Sequence, residues 1–220
     1  MRAVVFDLGG VVFPSPLDVF RAYERQHGLP HRFLSTVVLA DPEHGAWGQL
    51  ERGELTLAEF AVVFEAECAT HGARVDATAL MASIGGGFDP RPEMVTAIRA
   101  IRARGLRTAA LTNNWPAPEP TGDDDDPNPS SQLDGLFDVV VESAVVGLRK
   151  PDPRIYRLVC ERLGIDPAEA VFLDDLGVNL KAARALGMTT IKVAEPATAL
   201  ADLATVLGFP MTGNPAEPSL

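Results

Sequence analysis

The sequence predicts an α/β fold, in which helices flank a parallel β-sheet and a helical segment follows the first strand. From Pro92 onward, short apolar runs alternate with helical patterns, which favours parallel strands joined by right-handed crossovers. Residues 14–88, in contrast, show helical periodicity and no convincing strand. We therefore expect a core formed by residues 1–13 and 89–210, a helical cap formed by residues 14–88, and a flexible tail at residues 211–220.

The first predicted strand, Ala3–Phe6, is the element around which the candidate site is organised. Its apolar residues do not alternate with polar ones, which is typical of a strand buried on both faces of a parallel sheet. Ligands bind beyond the carboxyl ends of such strands, and Asp7 stands at that end. Gly9 and Gly10 then allow a tight turn and the close approach of a ligand. Taken alone, Asp7 is more simply explained as a turn cap, so its assignment depends on the later segments.

The remaining elements follow from the same patterns. Strands are short apolar runs, and helices begin at a proline or a capping residue and end near a glycine. The predicted strands are Thr108–Leu111, Val139–Val141, Ala170–Leu173 and Thr190–Val193. The predicted helices are Leu17–His27, one that begins at the capping box of Thr56 and Glu59, one that begins at Pro92, Ile155–Leu163, Val178–Leu186 and Leu200–Leu207.

Polar residues stand where several of these strands end. Thr112 follows the second strand, Asp174 and Asp175 follow the fourth, and Lys150 opens the helix before the fourth. Because the carboxyl ends of parallel strands meet at one edge of a sheet, we expect these residues to converge with Asp7.

The chemistry of this set indicates phosphoryl transfer. Three carboxylates repel one another and need a cation, and oxygen ligands of this hardness suit magnesium. Magnesium and Lys150 would together hold a phosphate, with Thr112 and helix N–H groups as donors. Asp7 would then be the nucleophile on phosphorus, and neutralisation of the transferring group would be the main catalytic contribution. The alternative is a structural cation site or a charge network without catalysis.

Composition excludes other classes of function. The net charge of −11 disfavours a nucleic-acid partner, and neither a membrane-spanning run nor a secretory signal is visible. The two cysteines lie far apart in sequence, which indicates reduced thiols in the cytoplasm. The glycine triplet at residues 85–87 is interpreted as a hinge and the acidic run Asp123–Asp126 as a solvated loop, since neither has the spacing of a phosphate loop or a calcium loop.

Four segments resemble, in order and spacing, the motifs of the haloacid dehalogenase-like hydrolase superfamily. They are Phe-Asp7-Leu-Gly-Gly-Val, Leu-Thr112-Asn113-Asn114, Gly-Leu-Arg-Lys150-Pro-Asp-Pro and Phe-Leu-Asp174-Asp175-x-x-x-Asn179. The second and fourth are similar in detail to the N-terminal phosphatase domain of soluble epoxide hydrolase and its relatives fused to acyl-CoA dehydrogenases. The resemblance implies a doubly wound, Rossmann-like parallel sheet with an all-helical cap inserted after the first strand.

The resemblance also implies roles for individual residues. Magnesium would be held by Asp7, by the main-chain carbonyl of Gly9 and by Asp175, and the peptide before Pro151 would be cis. The candidate metal-binding set is Asp7, Gly9, Asp174 and Asp175, with Asn179 in support. The candidate phosphate-binding residues are Thr112, Asn113 and Lys150, and the catalytic set is Asp7, Thr112 and Lys150.

Gly9 departs from the family pattern. Phosphatases of this family carry at that position a second aspartate, which serves as general acid and base. A glycine cannot protonate a leaving group, and such assistance typically contributes about 10²–10⁴-fold. We therefore expect a slow magnesium-dependent phosphatase of a small phosphorylated metabolite.

Two alternatives and several questions stay open. A dehalogenase-type hydrolase would use Asp7 to attack carbon without a metal, and a catalytically weak binding or regulatory relative would bind phosphate without turnover. The substrate is not specified by the sequence, although Trp47, Trp115 and the nearby loop are expected to contribute to specificity. The oligomeric state is equally open, a homodimer included.

Overall fold

The computed structural model describes residues 1–85, 89–116, 133 and 135–211. The acidic run Asp123–Asp126 lies outside these residues, as do most of the glycine triplet and nearly all of the predicted tail. Our interpretations of those three segments therefore stay predictions.

A five-stranded parallel sheet forms the centre of the molecule, in the order β3-β2-β1-β4-β5. The chain builds outward from β1 in one direction and then returns to build in the other, so the predicted doubly wound α/β fold is confirmed. The strands are β1 (Ala3–Phe6), β2 (Arg107–Thr112), β3 (Val139–Glu142), β4 (Ala170–Asp174) and β5 (Thr189–Lys192).

Burial of β1 on both faces follows from its apolar sequence. Val4 and Phe6 pack on one face among residues of α6 (Pro92–Ala103) and α10 (Pro196–Leu207). Ala3 and Val5 pack on the other face among residues of α8 (Pro153–Leu163) and α9 (Gly177–Ala185). Successive side chains of a strand point to opposite faces, so a strand with four apolar residues fits only between two helical layers. The helices of this part of the chain are α6 (Pro92–Ala103), α7 (Ser143–Val146), α8 (Pro153–Leu163), α9 (Gly177–Ala185) and α10 (Pro196–Leu207).

The five helices that come directly after β1 pack around an apolar cluster of their own, and this group of helices is here called the insertion. Phe60 and Phe64, one helical turn apart on α4 (Leu57–Thr70), are fully buried in this cluster and stack with their ring centroids 5.0 Å apart. Burial of each such side chain contributes roughly 1.5–3 kcal/mol. No strand occurs among residues 14–85. The helices are α1 (Pro16–His27), α2 (Phe33–Ala40), α3 (Ala46–Glu51), α4 (Leu57–Thr70) and α5 (Ala77–Gly85).

Several local predictions can be compared with these elements. The capping box of Thr56 and Glu59 is present, and α6 begins at Pro92 as predicted. Helix α10 starts at Pro196, earlier than its apolar stripe indicated, because proline is well suited to the first turn of a helix.

Lys150 does not open α8 but precedes it, since Asp152 is the N-cap. No helix of the described residues is long and apolar enough to cross a bilayer.

Candidate active site

The candidate site lies where β1 and β4 end side by side. Phe6 pairs with Leu173, and the main-chain N–H of Asp7 donates to the carbonyl of Leu173 at 2.9 Å. This places Asp7 beside Asp174, the last residue of β4. Because β2 lies on the other side of β1, the chain changes its direction of winding here, which is where ligands bind in open α/β sheets.

Lys150 links the two strand ends through its side chain. Its ammonium lies 2.7 Å from Asp7 Oδ1 and 2.8 Å from Asp174 Oδ2, and the residue is only 1% exposed. The ammonium also stands 5.6 Å from the centre of the Phe172 ring. A buried lysine needs a carboxylate partner to offset its desolvation, and Asp174 remains one even where Asp7 is neutral.

The carboxylate of Asp174 is held by several donors besides Lys150. Asn179 Nδ2 lies 3.1 Å from both of its oxygens, and the main-chain N–H of Leu176 donates to Oδ1 at 2.8 Å. The hydroxyl of Tyr156 in turn donates to the main-chain carbonyl of Asn179 at 3.1 Å. Asp174 is thereby fixed in orientation and serves to hold the lysine.

Asp175 completes the acidic group from the loop after β4. One carboxylate oxygen from each of Asp7, Asp174 and Asp175 lies within 4.8 Å of the others. Ser15 Oγ donates to Asp175 Oδ2 at 3.4 Å. Gly10, with φ of +79°, lies so close that an added Cβ would come 2.3 Å from the same oxygen. The turn after β1 is therefore shaped around the carboxylate of Asp175.

The electrostatics of this group are unbalanced. Burial raises the pKa of Asp7 well above its usual value, although the nearby Lys150 works to lower it. Burial and the charge of Asp174 likewise raise the pKa of Asp175. Burial opposes the charge of Lys150, but the two carboxylates more than compensate and raise its pKa. Three carboxylates thus share one ammonium, and the excess negative charge has no counterpart within the group.

These residues fit a divalent cation with hard oxygen ligands. Asp7 Oδ1 accepts from Lys150 and from the main-chain N–H of Leu8, whereas Oδ2 accepts no hydrogen bond among the described residues. Asp7 and Asp175 therefore offer free carboxylate oxygen, and the excess charge would be offset by a cation. Magnesium prefers such ligands, usually one or two carboxylates.

The sequence model of a family described as haloacid dehalogenase-like hydrolase matches residues 1–187. The chain belongs to the haloacid dehalogenase-like hydrolase family.

Individual relatives give the same result. Over 213 residues, the chain is 41% identical to acyl-CoA dehydrogenase family member 10 of Mus musculus, covering 96% of this chain and 19% of that protein. It is 34% identical to bifunctional epoxide hydrolase 2 of Sus scrofa, covering 99% of this chain and 41% of that protein. The chain thus spans less than half of either relative. A sesquiterpene phosphatase of Aspergillus oryzae is 27% identical, and there the match covers 94% of this chain and 97% of the relative.

Solved structures share the fold. A haloacid dehalogenase-like enzyme from Bacteroides thetaiotaomicron, in complex with magnesium and inorganic phosphate, has a TM-score of 0.57 at 20% identity, covering 87% of this chain and 93% of that one. The L-2-haloacid dehalogenase of Xanthobacter autotrophicus, with chloropropionic acid covalently bound, has a TM-score of 0.59 at 24% identity, covering 94% and 83%. The same fold therefore occurs in an enzyme with bound magnesium and phosphate and in a dehalogenase, so the fold alone does not decide between these two kinds of reaction.

Within this member of the haloacid dehalogenase-like family, the structure brings Asp7, Lys150, Asp174 and Asp175 together. The predicted cis peptide between Lys150 and Pro151 is confirmed. Thr112 is the last residue of β2, the neighbour of β1, and is buried at the same edge.

The side-chain amide of Asn113 contacts the main chain of Lys150, which the sequence did not predict. Its Oδ1 accepts from the main-chain N–H of Lys150 at 2.8 Å, and its Nδ2 donates to the carbonyl of Lys150 at 3.1 Å. Nδ2 also donates to Glu51 at 3.1 Å. The side-chain amide is thus bonded to protein groups, and its assignment to phosphate stays a prediction.

Sequence reasoning missed three residues of this haloacid dehalogenase-like site. Glu51, Arg149 and Ser15 all contact residues of the candidate set or their neighbours. Of these three, only Glu51 could have been noticed in the sequence. It stands four residues after Trp47, and residues at that spacing are neighbours on one face of a helix. The Trp47 ring meets the Trp115 ring with centroids 6.3 Å apart, so both tryptophans lie where the insertion contacts the loop after β2.

Proposed function

We propose that this chain is a magnesium-dependent phosphatase that hydrolyses small phosphate monoesters through an aspartyl-phosphate at Asp7. One observation carries the proposal: the ammonium of Lys150 lies between Asp7 and Asp174, with Asp175 beside them, at the carboxyl edge of the sheet. Phosphoryl transfer requires a positioned nucleophile and positive charge around the transferring group, and this arrangement offers both.

The first step uses the carboxylate of Asp7 as the nucleophile. Lys150 and the N–H of Leu8 hold this carboxylate in place through Oδ1, and one of its two oxygens attacks phosphorus while the other is left for the cation. The ester P–O bond breaks as the new P–O bond forms, and the leaving alkoxide or phenoxide takes up a proton from solvent water. In the second step a water molecule attacks phosphorus and gives up a proton to solvent, which releases inorganic phosphate and restores the carboxylate of Asp7.

The cation would be held by Asp7, the main-chain carbonyl of Gly9 and Asp175, with Asp174 and Asn179 in support. When bound, magnesium supplies positive charge to the oxygens of the transferring phosphoryl group. Lys150 would add its own charge from the protein side, and Thr112 would donate a hydroxyl hydrogen bond to a phosphate oxygen. A phosphate ligand is thereby compatible with a chain whose net charge is −11.

Gly9 limits the rate of hydrolysis that we expect. A general acid typically contributes about 10²–10⁴-fold, and a glycine supplies none. The enzyme should therefore favour esters whose leaving group departs with little protonation, such as aryl phosphates and enol phosphates.

A screen of phosphate monoesters, with magnesium and with EDTA, tests the proposal. Phosphate release should require magnesium and should disappear in Asp7→Asn, which keeps the shape of the side chain but not its nucleophilicity. A second measurement follows one turnover in water labelled with heavy oxygen. Attack of water on phosphorus places the label in inorganic phosphate, whereas attack on the acyl carbon, as in a dehalogenase-type reaction, places it in Asp7. Label in Asp7, or halide release with EDTA present, would overturn the assignment.

A further inference from the structure

Glu51, in α3 of the insertion, is a second buried carboxylate close to the site, with 8% of its surface exposed. It accepts three hydrogen bonds from side chains: from Trp47 Nε1 at 2.9 Å, from Arg149 Nε at 2.6 Å and from Asn113 Nδ2 at 3.1 Å. Trp47 belongs to the insertion, but Asn113 and Arg149 belong to the core. One carboxylate therefore connects the insertion to the two loops that carry candidate site residues.

Asn113 extends this connection to the main chain of Lys150. The oxygen of its amide accepts from the N–H of Lys150, and the nitrogen donates to the carbonyl of the same residue. The orientation of the amide is fixed because its nitrogen also donates to Glu51. A continuous series of bonds thus runs from Glu51 through Asn113 to Lys150, whose ammonium contacts Asp7.

Arg149 provides the charge that Glu51 requires. A buried carboxylate without a partner is strongly unfavourable, and the ion pair with Arg149 supplies one. The guanidinium also donates to the main-chain carbonyl of Pro42 in the insertion. Nearby, Gly53 lies so close to Ala144 that an added Cβ would come 2.4 Å from its carbonyl oxygen. The insertion is packed tightly on the core around Glu51.

We propose that Glu51 is a positioning residue for the reaction: by accepting from Asn113, it fixes the main chain of Lys150 and so the ammonium that faces Asp7. The inference rests on the proposed function, because Lys150 is assigned there to the transferring phosphoryl group. Arg149 neutralises Glu51 and does not itself orient Asn113. The separate roles of these two partners allow a positioning effect to be distinguished from a loss of stability.

Two double variants that differ only at position 51 form the test. In Glu51→Gln/Arg149→Met, the glutamine carbonyl takes the place of Oε2 and accepts from Asn113 Nδ2, while its amide nitrogen faces Trp47, so the bond from Trp47 is absent in both double variants and no buried charge is left alone. In Glu51→Met/Arg149→Met, the charge is also absent but Asn113 has lost its acceptor. A displacement on the order of 1 Å can cost about 100-fold in rate. We expect kcat to be at least about tenfold lower in the Met/Met variant than in the Gln/Met variant, with a smaller change in KM.

A second readout does not depend on turnover. Lys150 is buried and paired, so its amine should react slowly with an acetylating reagent in EDTA-treated protein, as measured by peptide mass spectrometry. Labelling should be at least about tenfold faster in the Met/Met variant than in the Gln/Met variant. Trp47→Phe is the control for a merely structural role: it removes a donor to Glu51 and should lower the melting temperature without exposing Lys150.

The outcomes separate the two proposals. Equal kcat and equal Lys150 labelling in the two double variants would overturn the positioning role, whether or not the wild type is a phosphatase. Faster labelling of Lys150 in Trp47→Phe, to the extent seen in the Met/Met variant, would also overturn it, since general loosening would then explain the effect. If the wild type releases no phosphate, a difference in labelling between the double variants would still support the positioning role while the proposed function failed.

Discussion

The main chain of Gly10 lies directly against the carboxylate of Asp175, so that a Cβ at position 10 would stand 2.3 Å from Oδ2. The turn after β1 and the loop after β4 are thus shaped to fit each other at the candidate metal site. Only glycine satisfies both this contact and the φ of +79° without strain.

Gly10→Ala should therefore weaken magnesium binding. The methyl group must displace Asp175, and loss of a properly placed ligand or of its support typically costs about 10–100-fold in affinity. Isothermal titration with magnesium measures the effect. Gly105→Ala is the matched control, because Gly105 has φ of +77° but open space at the Cβ position. Both variants should lose about 1–2 kcal/mol of stability from the backbone conformation, but only Gly10→Ala should lose affinity. Equal magnesium affinities would contradict this interpretation of the turn.

Asp7→Asn should stabilise the metal-free protein at neutral pH. Burial raises the pKa of Asp7 in the folded state, so the folded protein binds a proton at Asp7 more readily than the unfolded chain does. The resulting stability is fully present below the unfolded pKa, near 3.8, and is lost as the pH rises through the folded value. An amide removes this loss, and we expect a gain of about 0.5–2 kcal/mol at pH 7.

Urea unfolding in EDTA, repeated at several pH values, measures this effect. The advantage of Asp7→Asn over the wild type should shrink as the pH falls toward the unfolded pKa. Asp202→Asn, on the exposed side of α10, removes the same formal charge without a buried environment and is the control. A constant difference at every pH, or the same gain in the control, would show that ionised Asp7 does not destabilise the fold.

The sequence predicts those features of the fold and the site that depend only on the residue types of a strand and on the residue at its end. The four apolar residues of β1 require a sheet covered on both faces, and the ends of parallel strands must meet, so the proximity of Asp7 and Asp174 followed without coordinates. The link between Glu51 and Asn113 could not be predicted in this way. It joins residues 62 positions apart that no common sheet edge brings together, and it depends on how the insertion packs on the core.

Three smaller differences between the sequence predictions and the structure concern α10, α7 and Asn113. Helix α10 begins before the predicted Leu200 because its first turn carries no apolar stripe, although Pro196 itself is a start signal. The short helix α7 was missed because a single turn carries no periodicity to detect. The assignment of Asn113 to phosphate relied on a motif, and a motif names a residue without showing what its side chain contacts.

Gly9→Asp should raise the rate on alkyl phosphates more than on aryl phosphates. An aspartate at this position can protonate a poor leaving group such as an alkoxide, whereas a phenolate leaves without protonation. The gain should therefore be confined to the alkyl ester and should not exceed about 10⁴-fold. A Cβ at position 9 would come 3.2 Å from Cδ of Pro16, so a small adjustment of that ring is required. Gly9→Asn makes the same contact without an acid and should give no gain. Parallel gains in the two variants would point to a change in the loop and not to acid catalysis.

The two cysteines report separately on the insertion and the core. Cys68 is buried among the apolar residues of the insertion and Cys160 among those of α8 and its neighbours. Burial raises the pKa of Cys68 to about 12 and that of Cys160 to about 11, so neither thiol should react with a thiol reagent in native buffer at pH 8. As urea is increased, Cys68 should become reactive before Cys160, because the insertion has a single apolar cluster and no sheet, whereas the core has an apolar cluster on each face of its sheet. Quantitative mass spectrometry of the two labelled peptides gives both midpoints from one unmodified protein. Coincident midpoints would mean that the insertion and the core unfold as one unit, and the division of the chain into a cap and a core would then lack a thermodynamic basis.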